Sequence, residues 1–167
     1  MKPRHLAAMS VAALTAVLVL GGATAAYAET DPMQEKVDQV LADYPGGVQT
    51  AYDTVEWDGG AVELTIVLEG SFSPFSAFSP SSPSSIGECA TGSYCAFAGF
   101  SYTGSRLSFT SCPGGGGVSA LGTVRSVANA RSTGTVTALN GGSGVFSLAP
   151  NTGKPVVTSV VTTLSCA

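Results

Sequence analysis

The sequence predicts a small all-β domain preceded by a short helix and a β-hairpin. Three observations carry that reading. From Cys89 onward, short apolar or aromatic runs alternate with joints of Gly, Ser, Thr and Asn. Four cysteines, Cys89, Cys95, Cys112 and Cys166, fall in this same stretch, a pattern of small exported domains stapled by disulfides. Helical periodicity is confined to one segment upstream, where Met33, Val37, Val40, Leu41 and Tyr44 recur at three- and four-residue spacing.

Residues 1–28 read as a signal peptide. Lys2, Arg4 and His5 form a basic start, an apolar run follows from Leu6 to Leu20, and Ala26-Tyr27-Ala28 supplies a small-x-small cleavage site before Glu29. A membrane anchor is the competing reading, but the run falls short of the ~20 residues a spanning helix needs. The expected product is secreted and extracellular, with no membrane association after cleavage.

The helix and hairpin are assigned to 29–70. Asp31-Pro32 suits a helix start, because Asp accepts orphan N–H groups and Pro tolerates the first helical position; Pro45-Gly46-Gly47 ends it. Val48–Trp57 and the alternating Val62, Leu64, Ile66, Leu68 are two expected strands, joined at Asp58-Gly59-Gly60. Trp57, beside that turn, reads as a hairpin packing residue rather than a ligand platform. Residues 71–87 read as a Ser/Pro/Phe linker, whose Phe72, Phe75 and Phe78 either lie against a domain or form an exposed patch.

The remaining segment, 88–167, is the expected disulfide-containing domain. Candidate strands are Tyr94–Phe97, Arg106–Phe109, Val118–Leu121, Val136–Leu139, Val145–Leu148 and Val156–Leu164. Cys112-Pro113-Gly114-Gly115-Gly116-Gly117 reads as a flexible loop, and no Lys-Ser/Thr follows to make it a phosphate loop. Cysteine gaps of 6, 17 and 54 residues lack a C-x-x-C knuckle, which favours two disulfides over zinc. Their pairing stays open among three possibilities.

Charge narrows the function. All 11 acidic residues lie between Glu29 and Glu88, where Lys36 is the lone base; past Glu88 only Arg106, Arg125, Arg131 and Lys154 are charged. An acidic exported chain with few, dispersed cations is a poor nucleic-acid binder. His5 is the one histidine, and it falls in the leader. The Cys-rich half therefore has no imidazole base, no carboxylate pair and no acidic metal cage, which points away from an enzyme and from any metal or cofactor. Upstream carboxylates such as Glu63 and Glu69 sit on the solvent phase of an alternating strand.

The stretch Cys89-x5-Cys95-x-Phe97-x4-Tyr102-x-Gly104-x-Arg106-Leu107-x-Phe109-x2-Cys112 resembles the secreted actinobacterial peptidase inhibitors grouped as family I36. Ser126-Val127-x-Asn129 is similar to that family's later Ser-Val-x-Asn element, and the pieces around Tyr44-Pro45-Gly46-Gly47 and Trp57-Asp58-Gly59-Gly60 resemble its lead-in. The resemblance implies a βγ-crystallin-like Greek key over roughly 89–140. It gives Ser126 and Asn129 structural roles, with the serine hydroxyl tying down the fold. It also implies inhibition of peptidases, in particular metallopeptidases. The run Leu121–Ser126 lacks the acid found in calcium-binding relatives, so no calcium site is expected. The family's cysteine after the Ser-Val-x-Asn element is missing near Thr135, and Cys166 is the substitute.

The sequence thus supports a secreted peptidase inhibitor acting on a secreted protease, with a non-catalytic extracellular binding or structural module as the alternative. The residues offered for contact are Phe97, Gly99, Phe100, Tyr102 and Gly104, in a loop closed between two aromatics. Ser111–Val118 is a second, looser candidate. Oligomeric state is not readable from the chain.

Overall fold

The computed structural model describes residues 31–68, 70 and 85–167. Residues 1–28, the expected signal peptide, and nearly all of the Ser/Pro/Phe segment lie outside these residues. Helix α1 spans Pro32–Asp43. Asp31 caps it, accepting from Met33 N at 2.9 Å, with Pro32 in the first turn where a missing N–H costs nothing. Met33, Val37 and Val40 form its buried face. Tyr52 hydroxyl lies 2.7 Å from both Asp31 carboxylate oxygens. That bond, followed by the Met33 N–H, holds the Asp31 carboxyl below its ordinary range. The contribution is therefore present at neutral pH and is lost as pH falls through the lowered value. Tyr52→Phe is expected to move the Asp31 titration, followed by carboxyl carbon NMR, back toward ordinary carboxylates.

The strands are β1 (Val48–Ala51), β2 (Thr54–Trp57), β3 (Val62–Thr65), β4 (Tyr94–Phe97), β5 (Arg106–Phe109) and β6 (Gly114–Gly117). They continue as β7 (Ser126–Asn129), β8 (Val136–Asn140), β9 (Ser143–Leu148), β10 (Thr152–Lys154) and β11 (Thr163–Cys166). They form two antiparallel sheets, one ordered β1-β2-β3-β5-β4-β7-β10 and the other β6-β11-β8-β9. The structure is thus a small, mostly β fold with one short helix.

Connectivity repeats. In β4–β7 the first two strands form a hairpin, the third crosses to the other sheet, and the fourth returns beside the first. β8–β11 does the same: β8 pairs β9, β10 joins β7 in the opposite sheet, and β11 returns to β8. Each sheet therefore contains three strands of one unit and one of the other.

The helix and hairpin are not appended at a distance. β3 pairs with β5 from Val62↔Phe109 to Thr65↔Arg106, so the segments read from sequence as a lead-in and a domain share one sheet. They also share one core, in which Val37, Val55 and Leu64 cluster with Leu107, Val127 and Leu164. Within it the Tyr94 and Phe109 rings stack with centroids 5.0 Å apart. β4 and β7 are buried on both faces. Behind them Cys89, Cys95, Phe97, Ala128 and Ala130 make a second, smaller cluster, packed against Ile86 and Tyr102.

Four expectations change. Val48–Trp57 is not one strand: it turns at Tyr52-Asp53 and forms β1 and β2, which pair with each other. Val118–Leu121 is not a strand: Ser119–Leu121 is a 3-10 turn. The flexible glycine loop is instead strand β6, laddered to β11 from Gly114↔Cys166 to Gly117↔Thr163. Val156–Leu164 is extended-regular only from Thr163; upstream of it Val157 and Val161 are buried while Val156 and Val160 face solvent.

Candidate partner-binding loop

The two disulfides pair Cys89 with Cys95 and Cys112 with Cys166, which fits an oxidising, extracytoplasmic environment. The first ties the segment 85–89, ahead of β4, to β4 itself. The second ties the chain entering β6 to the last strand.

Residues 98–105 connect β4 to β5 and fold back over the outer face of the sheet. Phe97 is buried, and Tyr102 meets it edge-on, the ring centroids 5.7 Å apart at 70°. Burial raises the Tyr102 phenol above its ordinary pKa. The fold-back needs left-handed backbone at Ser101 (φ 53°), Tyr102 (φ 64°) and Gly104 (φ 75°). Gly104 adopts it without the Cβ penalty that the other two carry. Gly99 is required for a different reason: a Cβ there would collide with the Thr103 hydroxyl and come within 2.7 Å of its carbonyl oxygen.

Hydrogen bonds lock this shape. Gly99 N donates to Thr103 O at 2.8 Å, and Ser101 N to Pro155 O at 2.8 Å. Ser126, fully buried at the start of β7, accepts from Tyr102 N at 2.9 Å and donates to Gly99 O at 2.7 Å. Its hydroxyl thus satisfies two groups that the turn would otherwise leave unpaired. The second unit uses the same device: Thr162, just before β11, accepts from Gly141 N at 3.0 Å and donates to Leu139 O at 3.2 Å. Ser126→Ala is expected to cost about 1–3 kcal/mol, because it strands a buried N–H. Urea unfolding measures it, and a change within experimental error would mean that the loop does not depend on this hydroxyl.

Of the five residues the sequence offers for contact, Phe97 is buried and Gly99 and Tyr102 are half-buried. These three hold the loop from below. Phe100 and Gly104 are exposed, with Phe100 at 46 %. The Arg125 guanidinium lies 5.4 Å from the Phe100 ring centroid, a cation–π contact that steadies the ring at the surface. Among the described residues no three His, Cys, Asp or Glu side chains converge as metal ligands, and no helix is long and apolar enough to cross a membrane.

Asn129, fully buried at the end of β7, lies within hydrogen-bond reach of Gly134 O, Leu148 O and Ala149 O through its amide nitrogen and accepts from Arg131 N. Two residues that sequence reasoning passed over also tie segments together. Arg106 donates to Glu88 O at 2.6 Å and Thr65 Oγ1 at 3.1 Å, with Glu63 at 3.6 Å. Arg131 donates to Gly92 O and Thr110 O. The available signal was their position in a half of the chain that has no acids of its own, where an arginine can be satisfied by main-chain carbonyls.

Comparison with protein-family models, with curated proteins and with solved structures finds no match to this chain.

Proposed function

We propose that this protein is a secreted peptidase inhibitor built on a βγ-crystallin-like Greek key, with loop 98–105 as the contact element. The observation that carries the reading is the loop itself: a short segment held from both ends and from beneath that presents one large apolar side chain, Phe100. A pre-ordered loop loses little conformational entropy on entering a protease cleft, which is how inhibitors of this kind gain affinity. The strand-crossing repeat of β4–β7 and β8–β11 supports the Greek key part of the reading. The resemblance over Cys89–Cys112 supports a metallopeptidase as target.

The test is residual activity of a thermolysin-like metallopeptidase, a subtilisin-like and a trypsin-like enzyme, each titrated with the oxidised protein. Stoichiometric loss of one activity with the protein intact is expected, and Phe100→Ala should weaken it about ten-fold or more if this ring is the central anchor. No loss at micromolar excess, with both disulfides intact, would overturn the inhibitor reading. The second reading, a non-catalytic extracellular binding or structural module, would then hold. It draws on the narrow footprint, since a standard interface buries about 800 Å² per partner and Phe100 is the one exposed large apolar residue in the loop.

A further inference from the structure

β6 is an outer strand of the four-stranded sheet, with β11 on one side and, among the described residues, no strand on the other. Register shows which main-chain groups face outward. Val118 N donates to Thr162 O, and the same ladder sets Gly116 opposite Leu164 and Gly114 opposite Cys166. Bonded and non-bonded pairs alternate in an antiparallel ladder, so Gly114 and Gly116 bond β11 while Gly115 and Gly117 turn their N–H and C=O away. The reciprocal Thr135–Ala167 bonds turn the odd-numbered residues of this strand toward β8, which leaves the even-numbered Leu164 and Cys166 to bond β6. Both outward glycines are exposed, and no other described strand pairs with this edge.

Other outer strands are guarded. β1 and β9 carry register shifts, and β10 is three residues long. β6 has an unbroken register and carries neither proline nor charge, the usual devices against strand addition. Glycines in a strand often mark where another backbone approaches closely.

Beside this edge lies a cleft of about 420 Å³, bounded on the far side by the C-terminal end of α1. The half-buried Trp57 and Tyr44 form its wall over the buried core residues Leu107 and Phe109, and the Trp57 indole N–H is anchored on Tyr44 O at 3.1 Å. Asp43 and Asp58 are its charged lining residues, with no cation among them.

We propose that the free edge of β6 and this cleft bind an extended peptide segment of a partner protein by strand addition. Gly115 and Gly117 pair with its main chain, alternate apolar side chains of the peptide enter the Trp57–Phe109 cleft, and a flanking lysine or arginine meets Asp43 and Asp58. A groove between a strand edge and a helix, with pockets for every second side chain, is the geometry such recognition requires. This site is separate from loop 98–105 and does not depend on it.

The probe is an acetylated, amidated octapeptide of alternating valine and threonine flanked by lysines, titrated into the oxidised chain. Trp57 is the one tryptophan, so its fluorescence reports the cleft directly. A saturable change is expected, with the Gly115 and Gly117 amide protons shifting and exchanging more slowly while Gly116 holds its position. N-methylation of alternate peptide residues should weaken binding about ten-fold or more, as expected for losing two main-chain bonds. Asp43→Asn with Asp58→Asn should weaken the lysine peptide but not a serine-flanked one, and Phe100→Ala should leave the titration unchanged. The proposal is overturned by any of three results: no saturable change at millimolar peptide, equal affinity of the N-methylated peptide, or Gly115 and Gly117 shifts that follow protein concentration alone with a dimer in light scattering.

Discussion

Replacing Cys112 and Cys166 together with alanine is expected to lower stability by about 4 kcal/mol, and replacing Cys89 and Cys95 by about 2 kcal/mol. The difference comes from loop length: the first bridge closes a separation of 54 residues and the second one of 6. Removing the longer constraint releases more freedom in the unfolded chain. Location adds to the ranking. Cys112 stands just ahead of β6, whose four glycines have no side chains to pack, so that strand is held by the ladder to β11 and by this bridge. Losing the bridge should therefore also fray β6, seen as faster exchange at Gly114 and Gly116 before global unfolding. Equal midpoint shifts in urea for the two double variants, at unchanged slope, would show that loop closure does not set the ranking.

What was legible in the sequence had side-chain signals. Asp31-Pro32 and the apolar spacing of Met33, Val37 and Val40 locate α1 to its first residue. The turn at Asp58-Gly59-Gly60 places the β2–β3 hairpin, and aromatic runs place β4 and β5. The disulfides were readable as a number but not as a pairing, because spacing alone does not say which strands become neighbours. Gly114–Gly117 looks like a loop in sequence because strand propensity measures side chains fitting a pleated surface, and these residues have none to fit; the extended form of β6 is imposed by β11. Val118–Leu121 failed for the opposite reason: an apolar run looks like a strand, yet Val118 and Leu121 reach the core from the two ends of a 3-10 turn. The doubled connectivity was hidden because its two units share little pattern. One closes its hairpin with a folded eight-residue loop, 98–105, and the other with Gly141-Gly142. Loop 98–105 was placed by its aromatics, but which ring it presents was not. Phe97, Phe100 and Tyr102 look alike in sequence and differ only in what the backbone at 101–104 does with them.

Asn129→Ala is expected to cost about 3 kcal/mol, on the order of several lost or stranded hydrogen bonds. The amide has two hydrogens for three carbonyls, Gly134 O at 3.0 Å, Ala149 O at 3.2 Å and Leu148 O at 3.3 Å, so they are shared. Its own oxygen takes the Arg131 N–H at 3.3 Å. The side chain thus joins the end of β7 to the turn before β8 and to the chain leaving β9, and alanine would leave those groups buried without it. Asn129→Asp separates the hydrogen-bond argument from loss of volume. The introduced carboxyl is nearly isosteric but, when ionised, faces carbonyl oxygens it can only repel, so its folded pKa must rise above the usual ~3.9. Below that ordinary value the group is protonated in both states and the ionisation penalty is absent; the penalty grows as pH rises toward the raised folded value and is complete above it. The stability gap to the native protein should therefore be smallest in acid and largest at neutral pH, the reverse of ordinary acid denaturation. Paired urea titrations across that range measure it. A gap that does not change with pH would mean the carboxyl is solvated, and that Asn129 does not sit in a closed cradle of main-chain carbonyls.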